Sequence, residues 1–137
     1  MSFELSGQEL FVKKWDKRFG GNEREGFLSL IKTAEKGFLL GGTSKSGVSG
    51  DKTEASRGDD DYWIVKIDSN GNKQWDKRFG GAGGEGLSVV RQTGDKGYIL
   101  GGISYSNVGG DKTQFHWGGG DYWLVKIDSA GNKIWDK

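Results

Sequence analysis

Apolar and polar positions alternate along much of this chain. In Asp61–Asp68 (DYWIVKID), Trp63, Val65 and Ile67 fall on every second position, the period of a strand with one buried face. Alternation, or a short apolar run bounded by glycine, also marks Phe27–Ala34 (FLSLIKTA), Gly37–Ser44 (GFLLGGTS) and Asn72–Phe79 (NKQWDKRF). A Glu35-Lys36-Gly37 turn joins the first two, and the tight DSNGN stretch joins the last two. Within it Asn70-Gly71 is a hairpin signal, because both residues tolerate positive φ. No window carries a 3.6-residue stripe of helical length, and β-branched and aromatic residues dominate the apolar positions. The pattern predicts an all-β chain.

The pattern then repeats. Trp15, Trp75 and Trp135 are evenly spaced, as are Gly41 and Gly101, Asp51 and Asp111, and Trp63 and Trp123. The period is about 60 residues without gaps, and roughly 34 of 60 positions are identical. A long period of this kind marks one supersecondary unit that buries its apolar face against a copy of itself. The second copy predicts strands at Leu87–Thr93, Gly97–Ser104, Asp121–Asp128 and Asn132–Asp136, while Glu9–Phe19 (ELFVKKWDKRF) matches only a fourth strand. Four antiparallel strands per repeat with glycine-rich connections is the make-up of a β-propeller blade. The expected division is residues 1–20 with an orphan fourth strand, 21–80 as one blade and 81–137 as a second.

The stretch KIDSNGNKQW (Lys66–Trp75) resembles the tryptophan motif of quinoprotein-like propellers, in which an Asp, a turn Gly and a Trp recur in every blade. Glycine-to-tryptophan spacing agrees, and aspartate-to-glycine spacing is one residue shorter here. More closely, QWDKRFGG, GYILGG, GDKT and DYWIVKID look like the tandem propeller-like repeats of large secreted bacterial surface proteins. That resemblance covers nearly all of the chain beyond residue 10. It implies a blade-type fold and a secreted or cell-surface parent, and it carries over no quinone-binding or catalytic residue.

Propellers use about four to eight blades, so two leave a ring open and both inter-blade faces exposed. The expectation is therefore a piece of a longer array, or a unit that assembles with itself. Three copies would give six blades and four would give eight, the orphan strand being exchanged into a neighbouring copy. The clipped end IWDK agrees with this, since RFGG would link to a next blade.

Composition narrows the chemistry. The 137 residues hold no cysteine, one histidine and a net charge of +1. Disulfides and thiolate chemistry are excluded, and a dedicated nucleic-acid binder would carry a basic excess. The start MSFELSGQELF lacks the features of a signal peptide, and no apolar run is long enough to span a membrane. GAGGEG (Gly81–Gly86) fits G-x-G-x-x-G but lacks a following helix, so a flexible inter-blade link is expected there. Arg57–Asp59 spell RGD, whose counterpart is Trp117-Gly118-Gly119. Asp59, Asp60 and Asp61 are weak calcium candidates, of which only Asp61 recurs. His116 has no counterpart, and no nucleophilic triad repeats, so neither an enzyme nor a cofactor is expected.

The long loops Lys45–Asp60 and Tyr105–Gly120 share GDKT and differ at their tips, Glu54–Arg57 against Gln114–Trp117. Tyr105, Phe115, His116 and Trp117, with Arg57 at the matching tip, are the candidates for stacking on a glycan or gripping a cell-surface protein. The simpler alternative is that the aromatics cover a sheet edge or a neighbouring copy. Trp15, Trp63, Trp75, Trp123, Trp135, Gly71 and Gly131 recur with the repeat and are expected to be structural. The mid-strand Gly41-Gly42 and Gly101-Gly102 pairs predict a close sheet-to-sheet approach or a bulge. Arg91 replaces Ile31 in the first strand, the one expected to line a central channel.

Overall fold

The computed structural model describes residues 11–137, and its strands come in two sets of four. The first sheet is ordered β1 (Glu25–Lys32), β2 (Phe38–Ser44), β3 (Asp61–Ile67) and β4 (Lys73–Phe79). The second repeats it with β5 (Glu85–Gln92), β6 (Tyr98–Ser104), β7 (Asp121–Ile127) and β8 (Lys133–Asp136). Every neighbouring pair is antiparallel, and the described residues contain no helix. The chain is all-β, as its alternation predicts. β1 and β5 begin two residues before the apolar runs, because Glu25 pairs with Ser44 and Glu85 with Ser104.

The turns explain several of the recurring residues. Asp68 accepts the main-chain N–H groups of Asn70 and Asn72 and the Asn72 amide, so its carboxylate holds the whole hairpin. Gly71 then takes φ +79°, and Asp128 and Gly131 repeat the arrangement. Between β1 and β2 the left-handed position falls on Lys36 (φ 62°), one residue ahead of the glycine. Gly41 and Gly42 need their missing side chains for different reasons. A Cβ on Gly41 would meet Val90 and Leu87 of the second sheet, whereas one on Gly42 would meet the Gly26 carbonyl beside the β1 bulge. Both expectations for the glycine pair are met, one by each residue.

The core lies between the sheets. Leu39, Tyr62, Ile64 and Phe79 of the first sheet face Leu87, Val90, Tyr98, Leu100, Trp123, Val125 and Ile127 of the second. These side chains alternate with those of the opposite faces, so each sheet presents one face to its partner and one elsewhere. Arg91 is exposed, and its counterpart Ile31 packs at the core margin.

Of the fourth strand expected over Glu9–Phe19, the described residues form none. Glu9 and Leu10 lie outside the described residues, and residues 11–19 pair with no strand. A strand needs a neighbour to bond, and none lies beside this segment. It crosses the open face of the first sheet instead. Trp15 stands edge-on to Phe38 with ring centroids 6.4 Å apart, its indole N–H donates to the Ser69 carbonyl, and Phe19 packs against the Trp63 cluster.

Candidate functional site

The contact between the sheets is the most developed surface in the molecule. Tyr62 is wholly buried at its centre. Its ring lies 5.1 Å from that of Trp123, and its hydroxyl donates to the Trp123 carbonyl. That hydroxyl sits over Gly102, where a Cβ would approach it to 2.8 Å. Trp75 of β4 stands edge-on to Tyr98 at 6.4 Å, and Lys77 lies against Gly131. Around this apolar centre runs a polar seam. Arg78 pairs with Asp111 at 2.7 Å, and Arg57 reaches the same carboxylate at 3.3 Å. The Asp59 N–H donates to the Gly83 carbonyl, the Asp111 N–H to the Gly80 carbonyl, and the Glu85 N–H to the Asp60 carbonyl.

Two carboxylates meet in the seam. Glu85 accepts the hydroxyls of Ser104 and Ser106 and the Gly81 N–H, so its charge is well matched. Asp61 accepts the Arg57 N–H on one oxygen, while its other oxygen is buried without a partner. Burial pushes the Asp61 carboxyl up to about 6, and the nearby Glu85 adds to the rise. Burial likewise lowers the Lys52 ammonium. Lys52 acts as an internal peg for its loop, donating to the carbonyls of Ser46 and Glu54 and to the Ser56 hydroxyl.

The recurring GDKT now has a reason at each position. Gly50 takes φ +54°, Asp51 accepts the Gly20 N–H, Lys52 pegs the loop and Thr53 donates twice to Asp76. Asp76 also accepts the Trp63 indole N–H at 3.0 Å and the Lys73 ammonium at 2.7 Å. Burial works to raise the Asp76 carboxyl, but these four donations hold it below the ordinary range. Asp136, Thr113, Trp123 and Lys133 form the same cluster in the second sheet. Trp63 and Trp123 are thus structural residues fixed by buried carboxylates.

The remaining candidate residues scatter. Phe115 and Trp117 share a shallow depression with Tyr122, whereas Tyr105 and His116 do not line it. Tyr105 lies against Gly120, and His116 accepts the Gly118 N–H. Arg57 belongs to the seam between the sheets. The acidic run diverges: Asp59 pairs with Lys45, Asp60 with Arg24, and Asp61 turns inward. Among the described residues no three His, Cys, Asp or Glu side chains gather as a metal set. The glycine-rich link is pinned rather than loose, since Gly81 bonds Glu85 and Gly83 bonds the Ser106 hydroxyl.

Each sheet also has an open face, and the two are not alike. On the first sheet Phe27 and Leu30 are exposed, while Leu87 and Val90, one repeat later, are buried. On the second sheet Tyr122 is 91% exposed and Leu124 40%, while Tyr62 and Ile64 are at 0%. The open face of the first sheet therefore carries the residues that the second sheet buries in the core, and the reverse is equally true. In the sequence Tyr62 and Tyr122 both read simply as strand residues of DYW.

In comparison with known proteins, no family model matches this chain and no curated protein matches it.

Proposed function

We propose that the chain is a non-enzymatic scaffold whose copies close into a β-propeller-like ring. One observation carries this reading: the two open faces are the two halves of the contact already made between the sheets. Phe27, Leu30, Phe38 and Trp63 occupy the places of Leu87, Val90, Tyr98 and Trp123; Tyr122 and Leu124 occupy those of Tyr62 and Ile64. A second copy can thus dock head to tail with the packing that the chain uses internally. Apolar faces of this kind mark association surfaces. The contact is heterologous, so it closes when the rotation per copy divides a full turn. With two sheets per chain, three copies give a six-bladed ring and four an eight-bladed one.

The N-terminal segment supports the same geometry. Trp15 lies on Phe38 as Trp75 lies on Tyr98, Lys17 lies on Gly71 as Lys77 lies on Gly131, and the Gly20 carbonyl accepts from Asp51 as Gly80 accepts from Asp111. The segment holds the place of a fourth strand from a preceding blade. Exchange into a neighbour's sheet would give its unpaired main chain a partner.

A glycan- or protein-binding role for the long loops has less support. The tip of the first loop is already used between the sheets, and the four aromatic candidates of the second do not converge. The reading is tested by light scattering on the chain over a hundred-fold dilution. A single species of three or four copies is expected. A ladder of sizes that grows with concentration would contradict closure.

A further inference from the structure

The open face of the first sheet contains an apolar cavity walled by Phe19, Phe27, Leu40, Gly42, Trp63 and Val65. One repeat on, the matching region of the second sheet is filled. There the Tyr62 side chain lies over Gly102 and against Trp123, with its hydroxyl bonded to the Trp123 carbonyl. Gly42 and Trp63 are the counterparts of Gly102 and Trp123, and they stand in the same register, Gly42 opposite Trp63 as Gly102 is opposite Trp123. The counterpart of Tyr62 is Tyr122, which projects from the other open face almost fully into solvent.

We infer that this cavity is the socket for Tyr122 of a second copy, whose hydroxyl donates to the Trp63 carbonyl. The inference rests on the ring reading and assigns its central contact. Several features make tyrosine the fitting plug. The wall is apolar where the ring would lie, which suits an aromatic body, and the Trp63 carbonyl holds the strand position of the Trp123 carbonyl that accepts the Tyr62 hydroxyl. Gly42 leaves room for that approach, since a Cβ there would also strike the Gly26 carbonyl. Seating Tyr122 would bring its neighbour Asp121 to Glu25, as Tyr62 brings Asp61 to Glu85. Glu25 is prepared for this as Glu85 is, accepting the Ser44 and Ser46 hydroxyls. Asp121 accepts the Trp117 N–H just as Asp61 accepts that of Arg57. The carboxylate, serine and main-chain partners on both sides are therefore in place before the copies meet; what must shift on docking is the segment of residues 11–19, whose Trp15 holds on Phe38 the place that Trp135 of the second copy would take.

The test places the photoreactive p-benzoylphenylalanine at position 122, a site exposed enough that the fold is not at stake, and irradiates the assembled chain. Cross-linked peptides joining position 122 of one copy to residues 25–27, 40–43 or 63–65 of another support the socket. Links to the long loops, or none, overturn it. Tyr122→Glu should reduce the oligomer to single chains at micromolar concentration with an unchanged circular dichroism spectrum. Tyr122→Phe should keep the oligomer and raise its dissociation concentration about five-fold, the cost of one hydrogen bond. If the unmodified chain is a single copy at every concentration, the ring reading itself falls. If it is a closed oligomer whose mass Tyr122→Glu leaves unchanged, the ring stands and the socket is wrong.

Discussion

Asp76 and Asp61 sit within one sheet and respond to pH in opposite directions. Asp76 has four donors and is held below its ordinary range, so it favours the fold while ionised and that support is lost as pH falls through its folded value. Replacing it by alanine leaves the Trp63 indole and the Thr53 N–H without an acceptor, and leaves the Lys73 ammonium only the Asp51 carbonyl. Urea unfolding at neutral pH should show Asp76→Ala destabilised by about 3–5 kcal/mol. A loss below about 1 kcal/mol would contradict the central place given to this cluster. Asp61 works the other way. Burial, with Glu85 beside it, makes it bind its proton more tightly in the fold than in the unfolded chain, outweighing the opposing pull of Arg78 at 3.6 Å and of Lys52. It therefore favours the fold below pH 4, and that support is lost as pH rises through about 6. Moving a carboxyl from 3.8 to about 6 corresponds to roughly 3 kcal/mol. Asp61→Asn should flatten the stability profile between pH 4 and pH 7 and raise stability at pH 8. An unchanged slope in that window would show that Asp61 stays ionised throughout.

At the scale of elements, the alternation in DYWIVKID placed the β3 side chains on their correct faces, and Asn70-Gly71 marked its hairpin. These features were legible because neighbours along the chain determine them. The GDKT motif was legible as a constant frame but not as a device, since Asp51, Lys52 and Thr53 find partners 22 to 31 residues away or across the loop. The β1 and β5 starts were missed because Glu25, half-buried, and Glu85, buried, are charged residues held by serine hydroxyls, and periodicity reads charge as exposure. The loop tips show what variation between the repeats does. Arg57 ties the first tip across the sheets to Asp111, and Trp117 stands at that place in the second. Changing Gln114→Glu, Phe115→Ala, His116→Ser and Trp117→Arg together should leave fold stability within about 0.5 kcal/mol. It should also let the new arginine pair with Asp51 of a neighbouring copy, so association at low salt is no weaker. Association weakened ten-fold or more would return Phe115 and Trp117 to a binding role of their own.

Across the whole molecule, two units of the same four-stranded topology differ most in which of their faces are covered. No residue-level signal foretells that Tyr62 is buried and Tyr122 exposed, because the distinction comes from having a neighbour on one side. What the repeat did make legible is that such faces exist, and that each should fit the other. The central claim is that copies of this chain join as its own two sheets do, and that the joining closes. Native mass spectrometry of the dilute chain tests it most directly. A chain of 15.0 kDa should give one dominant ion series at about 45 or about 60 kDa, for three or four copies. A folded single chain at 15.0 kDa would contradict it, since the exposed Phe27, Leu30, Tyr122 and Leu124 would then remain in water with the fold intact.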